Sequence, residues 1–228
     1  MTSPLVSVVI PVFNGERFLG AAIQSVLDQT YRPVEVIVVD DGSTDDSASI
    51  ARSFPSVRVI QQAHAGPATA RNRGVAAASG GFLAFHDADD LMPADKLTRQ
   101  VGHLREHPEV GCVLGRQELL LEEGVERPAW AERGEAPLMS MVVRASLFDE
   151  AGGFDPTYLH GEDADCLLRM RQLARVATLD SVVLHRRIHE GNLSNDVQAL
   201  RRGTFRVLRD HMRRLRAEGR SSLGRASG

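Results

Sequence analysis

The sequence predicts an α/β chain on a doubly wound, mainly parallel sheet with helices on both faces. Three observations predict it. Short apolar runs alternate with stretches of helical period from residue 5 to residue 87. The runs are β-branched and continuous, as strands covered on both faces must be. Polar clusters follow the runs, and open α/β sheets hold ligands outside the carboxyl ends of their strands.

The elements follow in order. "LVSVVIPVF" (5–13) reads as the first buried strand. From Glu16 the period changes, and Phe18, Leu19, Ala22, Ile23, Val26 and Leu27 share one helical face. "VEVIVVDD" (34–41) is a second strand. "STDDSASIARSF" (43–54) reads as a helix capped by Ser43 or Thr44, with acids in its first turn. "VRVIQQ" (57–62) is a third strand, "GPATARNRGVAAAS" (66–79) a helix opened by Gly and Pro, and "GGFLAFHD" (80–87) a fourth strand.

The second half is less regular. A helix is expected over 93–107, a strand over 110–115 and another over 138–144. "GEDADCLLRMRQLA" (161–174) is a helix with acids at its start, and "VATLDSVVLHRR" (176–187) a strand pair or one long edge strand. From Asn195 a basic amphipathic helix leads into an irregular "GRSSLGRASG" (219–228). The polar stretch 116–137 carries no assignment. The expected organisation is one domain over 1–195, divided near residue 92, followed by the basic helix and a flexible tail (196–228).

Composition sets limits. With 43% apolar residues the 228-residue chain can bury a sizeable core, and a net charge of −3 gives no bulk field for nucleic acid. No stretch approaches the roughly 18–20 apolar residues of a membrane span. The N-terminus lacks a basic n-region and reads as a strand rather than a signal peptide, so a cytoplasmic setting is expected. Cys112 and Cys166 sit in apolar surroundings and read as core thiols in a reducing compartment. Lysine occurs once, at Lys96, against 26 arginines, a bias typical of a GC-rich genome.

Five constellations carry chemistry. In "HDADD" (86–90), Asp87 and Asp89 would repel unless a cation lay between them, and hard oxygen ligands suit Mg²⁺ or Mn²⁺. The alternative is an acidic loop capping the next helix, with Asp90 near its start. In "DDGSTD" (40–45), Gly42 permits a sharp turn, and the two aspartates suit hydrogen-bond donors better than phosphate. "ATARNRG" (68–74) puts Arg71 and Arg73 near the same edge, as ligand contacts or as surface charge. In "HGEDADCLLRM" (160–170), Glu162 and Asp163 either cap a helix or supply a general base. In "LHRRIHEGNLSN" (184–195), His185 and His189 are solvated loop histidines or, for one of them, a metal ligand.

Taken in order, "VSVVIPVFNGERFLGAAIQSVLDQTY", "VEVIVVDDGSTDDS", "GPATARNRG", "FLAFHDADDLMPADKL", "GGFD", "GEDADCLLRM" and "RRIHEGNLS" resemble the family 2 glycosyltransferases of GT-A fold over residues 5–195. The resemblance implies an inverting transferase of the hexosyl or N-acetylhexosaminyl class, using a nucleotide-diphosphate sugar. By similarity, Pro11, Phe13 and Asn14 line the nucleotide pocket. Asp41 accepts the uracil imide proton of a UDP-sugar, with Asp40 beside it. Arg73, or else Arg71, lies along the nucleotide, and Asp87 with Ala88 faces the ribose or donor sugar. Asp89, alone or with Asp90, holds a Mn²⁺ or Mg²⁺ ion, and His189 completes the shell. Asp163 is the catalytic base, with Glu162 as its neighbour.

The Q-x-x-R-W sequence of processive synthases is absent, so a soluble, non-processive enzyme is expected. Its acceptor is a hydroxyl on a saccharide, lipid-linked saccharide, peptide or small molecule. Trp130 either stacks on a sugar or packs internally. The arginine-rich segment 201–228, with Val197, Leu200, Val207, Leu208, Met212 and Leu215 at helical spacing, either packs on the domain or lies on anionic lipid. The competing readings are a nucleotidyltransferase, which would want a basic glycine-rich loop after the first strand, and a nucleotide-sugar-binding protein without turnover.

Overall fold

The computed structural model describes residues 3–128, 138–192 and 195–225, so Trp130 and the rest of 129–137 lie outside the described residues. One seven-stranded sheet organises the chain, in the order β3-β2-β1-β4-β6-β5-β7. Strands β1 (Val6–Val12), β2 (Val34–Asp40), β3 (Val57–Gln61) and β4 (Phe82–Phe85) are parallel. The short β6 (Val142–Arg144) runs antiparallel to both neighbours, β4 and β5 (Val110–Leu121). Strand β7 (Arg175–Ile188) is a single long edge strand, parallel to β5.

Both faces are covered, which is why the strands read as unbroken apolar runs. Val6, Val8, Ile10 and Val12 of β1 pack with Leu19, Ile23 and Val26 of α1 (Glu16–Leu27). Leu97, Val101 and Leu104 of α4 (Lys96–Glu106) join the same cluster, with Ala51 of α2 (Ser47–Arg52). The opposite face gathers Val9, Ile37 and Val39 under α3 (Pro67–Ala76), α5 (Ala145–Glu150) and α6 (Glu162–Leu173). A last helix, α7, spans Val197–Arg225. After β1 the chain builds β2 and β3 on one side, whereas β4 lies on the other. The crevice for a ligand therefore opens beyond the carboxyl ends of β1 and β4.

Several elements differ from expectation. Helix α2 begins at Ser47, with Asp46 at the cap position, not at Ser43 or Thr44. The hydroxyls and carboxylates of that segment are used elsewhere. Ser43 Oγ, Ser47 Oγ and Asp45 Oδ2 accept the N–H groups of Asn14, Gly15 and Glu16 at 2.9, 2.9 and 3.0 Å. They thus satisfy donors at the start of α1, and the Glu16 carboxylate returns the favour to Asp46 N at 3.0 Å. Two loops after neighbouring strands cap each other. Strand β5 continues beyond 115 to Leu121, with register shifts around Arg116. Only 142–144 of the expected 138–144 strand pairs, after a 3-10 turn at Leu138–Ser140. Helix α7 runs on through Arg225, where an irregular tail was expected.

The two thiols are free and buried, and burial pushes both up to about 12, so neither is a nucleophile. Lys96 is fully buried, and its Nζ has no hydrogen-bond partner among the described residues. Burial pulls its pKa down to about 8, against the attraction of Asp90 and Asp87. The unfolded chain then holds this proton more tightly, so stability should rise with pH between about 8 and 10.5. A cost of roughly 3 kcal/mol is fully present below that window. Urea unfolding across pH 8 to 10.5 should show this slope in the parent and its loss in Lys96→Met. Equal slopes would assign the proton elsewhere.

Candidate active site

The acidic loop after β4 is fixed by β7, about 100 residues away in sequence. Leu91 and His185 exchange backbone hydrogen bonds of 2.9 Å. Arg187 N donates to Asp90 Oδ1 at 2.8 Å, and Arg187 Nε to the Asp89 carbonyl at 3.0 Å. Asp90 is therefore buried scaffolding that holds strand to loop. Burial, then the charges of Asp89 and Asp87, raise its pKa well above the usual carboxylate range. The same pairing brings His189 over the loop. Its Nε2 lies 3.1 Å from Asp89 Oδ2, which also accepts Asn192 Nδ2 at 3.0 Å. His185 sits instead against Glu118, at 3.4 Å.

Asp89, Asp90, His189 and Asn192 border one crevice of about 1440 Å³ at the predicted end of the sheet. Pro11, Phe13 and Asn14 line it from β1 and the loop beyond. Asn14 holds a left-handed backbone (φ 51°), and its Oδ1 accepts Thr44 N at 2.8 Å. Phe13 is half exposed and lies 4.1 Å, centroid to centroid, from His64, a wall residue that sequence reasoning missed.

The two aspartates after β2 part company. Asp41 lines the crevice. Its oxygens take the N–H groups of Ala65 and Gly66 and Gln62 Nε2, and His64 Nδ1 lies 3.0 Å away. Asp40 is buried and absent from the wall. It accepts Ser43 N at 2.9 Å and Gln61 Nε2 at 2.8 Å, which makes it a brace of the turn. Arg71 and Arg73 part in the same way. Arg73 is exposed outside the crevice, whereas Arg71 is buried in its floor. Two residues along a helix are about 200° apart, so only one of them can face the sheet edge.

Arg71 joins the two halves of the site. Its Nη2 donates to Asp87 Oδ1 at 2.9 Å and its Nη1 to Glu162 Oε1 at 2.8 Å. Burial works against its charge, but the two carboxylates outweigh burial and raise its pKa. In turn, despite burial, the Arg71 charge and hydrogen bond hold Asp87 below the usual carboxylate range. Asp163 lies next to this pair without a guanidinium of its own. Burial, then the Glu162 charge, pushes it up to about 6. Gly161, at φ +87°, turns the chain into α6 so that Glu162 and Asp163 both border the crevice.

Asp89 behaves unlike Asp87. Burial, then the Asp87 charge, raises its pKa, with the His189 bond opposing. A carboxylate crowded by another carboxylate and facing an imidazole could hold a divalent cation, which would remove the repulsion. Among the described residues no group of three or more His, Cys, Asp or Glu forms a closed metal cage. Such an open donor set fits a cation that takes its remaining ligands from phosphate oxygens.

The Glycosyl transferase family 2 model matches residues 7–157. An uncharacterized glycosyltransferase of Haemophilus influenzae is 39% identical over 109 residues, 46% of this chain and 44% of that protein. The Escherichia coli chondroitin synthase is 25% identical over 227 residues, 93% of this chain and 33% of that protein. The chain thus spans less than half the length of either relative. Among solved structures, Staphylococcus aureus TarS 1-349 in complex with UDP-GlcNAc superposes with a TM-score of 0.71 at 23% identity, covering 84% of this chain and 60% of that one. The Pyrobaculum calidifontis mannosyltransferase PcManGT, in complex with GDP-Man and Mn²⁺, gives 0.74 at 22% identity over 93% and 65%. These superpositions show the seven-stranded sheet with its helices to be of GT-A fold. On the strength of a family match over most of the chain and a fold that agrees with it, this protein belongs to glycosyl transferase family 2.

Proposed function

We propose that the chain transfers a sugar, with inversion, from a nucleotide-diphosphate donor to an acceptor hydroxyl. A UDP-sugar is the favoured donor, the sugar a hexose or N-acetylhexosamine, and the reaction non-processive. One observation carries the reading: Asp89 with His189, and Asp163 beside the Arg71–Glu162 pair, border the same crevice. Relatives of the same fold hold UDP-GlcNAc in one case and GDP-Man with Mn²⁺ in another, which supports the donor class.

Asp89 and His189 would hold the divalent cation, whose chemistry is to neutralise the departing diphosphate. The chain's own groups do the rest. Phe13 and Pro11 offer an apolar wall to the base. Asp41 can take an imide N–H in exchange for His64, whose side chain is exposed. Arg71 keeps Asp87 ionised toward the ribose or donor sugar. Asp163 takes the acceptor's proton as the acceptor oxygen attacks the anomeric carbon from the face opposite the diphosphate. The new C–O bond forms as the bond to the diphosphate oxygen breaks.

The test is thermal unfolding with UDP-, GDP- and TDP-sugars, each with and without Mn²⁺. Donor at about a hundred times its Kd adds roughly 2.7 kcal/mol, a rise of several degrees. Stabilisation by one nucleotide class that needs the metal supports the reading. No stabilisation at millimolar ligand overturns it.

A further inference from the structure

Helix α7 presents three distinct sides. One docks on the domain. Gly203 lies against the His160 backbone so closely that a Cβ there would meet the carbonyl oxygen at 2.5 Å. Val207 is buried beside it, Tyr158 Oη donates to Asp210 at 3.2 Å, and Arg214 pairs with the fully buried Asp165. These contacts fix the rotation of the helix about its own axis.

The second side is apolar and bare. Val197, Phe205, Leu208, Met212 and Leu215 are all exposed, Phe205 by 76%. At about 100° per residue they fall within an arc of roughly 80°. The third side is basic. Arg202, Arg209, Arg213 and Arg216 are exposed and occupy the arc next to the apolar one, while Arg201 lies inside it. Among the described side chains of α7, Asp210 is the only acid, and it is turned toward Tyr158 and its neighbouring arginines. The helix begins at the crevice, since Leu200 lines it, as does the exposed Leu159 next to His160.

We propose that the apolar side of α7, with its arginine border, seats the protein on an anionic lipid surface. The apolar arc would enter the interface, and the arginines would meet lipid phosphates at the headgroup level. Charge selects this occupant. A second copy docked through the same face would bring matching arginines together, and a soluble polyanion would leave the apolar arc in water. This surface does not depend on the transferase reading.

The test is co-sedimentation of the 228-residue chain with vesicles of phosphatidylcholine, pure or containing phosphatidylglycerol. Binding should require phosphatidylglycerol and weaken with salt. Phe205→Ser with Met212→Ser should lower partitioning at least tenfold, and Arg202→Gln with Arg216→Gln should do the same through charge alone. Neither pair lines the crevice, so the donor-induced thermal shift should persist in both, which separates failure here from failure of the transferase reading. The second pair, which replaces no apolar side chain, keeps the test open if the first misfolds. Equal binding to both vesicle types, binding that survives both pairs, or a dimer dispersed by the serine pair would each overturn the proposal.

Discussion

Replacing Asp163 with Asn should lower transfer by about 10²–10⁴-fold while the donor-induced thermal shift survives. The side chain keeps its shape and loses only its capacity to take a proton. The same group should set the acid limb of the parent's profile. With a pKa of about 6, kcat/KM should fall as pH drops through 6, and the residual activity of the variant should lack that limb. Stability should move the other way. A carboxyl raised from 3.8 to about 6 favours the fold only when protonated, so its contribution is full below 3.8 and lost as pH rises through 6. At neutral pH the charged group costs about 3 kcal/mol. Asn carries no charge, so the variant should melt a few degrees above the parent at pH 7.5. Lost donor affinity with unchanged transfer per bound donor would remove Asp163 from the role of base. A lower melting temperature would contradict the account of its environment.

Arg71→Met should be the most destabilising single change in the crevice. It strands Glu162, nine-tenths buried, and leaves Asp87 without its partner. Breaking a buried pair in this way costs about 3 kcal/mol or more, read as a lower midpoint in urea. Arg71→Lys should recover only part of this, because an ammonium lacks the planar fork that meets both carboxylates. A loss below about 1 kcal/mol for Arg71→Met would show that the two acids find other partners. Resemblance placed Arg73, or else Arg71, along the nucleotide, and of the two it is Arg71 that lines the crevice. Its guanidinium bonds both Asp87 and Glu162, so the change should also loosen the spacing between these two carboxylates.

The pattern of residues 5–87 made the first four strands and three helices legible, because burial on both sheet faces leaves continuous β-branched runs. The acidic segments were legible too: two follow strand ends, and the third opens helix α6. Boundaries failed where side chains served another segment. Ser43 and Thr44 have the chemistry of a helix cap, yet they bond to the loop after β1. Asn192 went unnoticed because its contact with Asp89 spans 103 positions and leaves no periodic trace. His64 was hidden for a similar reason: only the turn after β3 places it against Phe13.

By itself the sequence determined the order of strands and helices up to residue 87, the end of the sheet where polar groups gather, and the set of carboxylates available there; helix α5 left no such mark. Those follow from local period and apolar content, which are properties of short windows. The tertiary structure decided which member of each close pair enters the crevice: Asp41 rather than Asp40, Arg71 rather than Arg73, His189 rather than His185. Neighbouring residues point in different directions from strand or helix. The choice depends on how β7 is bonded to the acidic loop and how α3 lies on the sheet, contacts formed between segments that the chain alone keeps far apart.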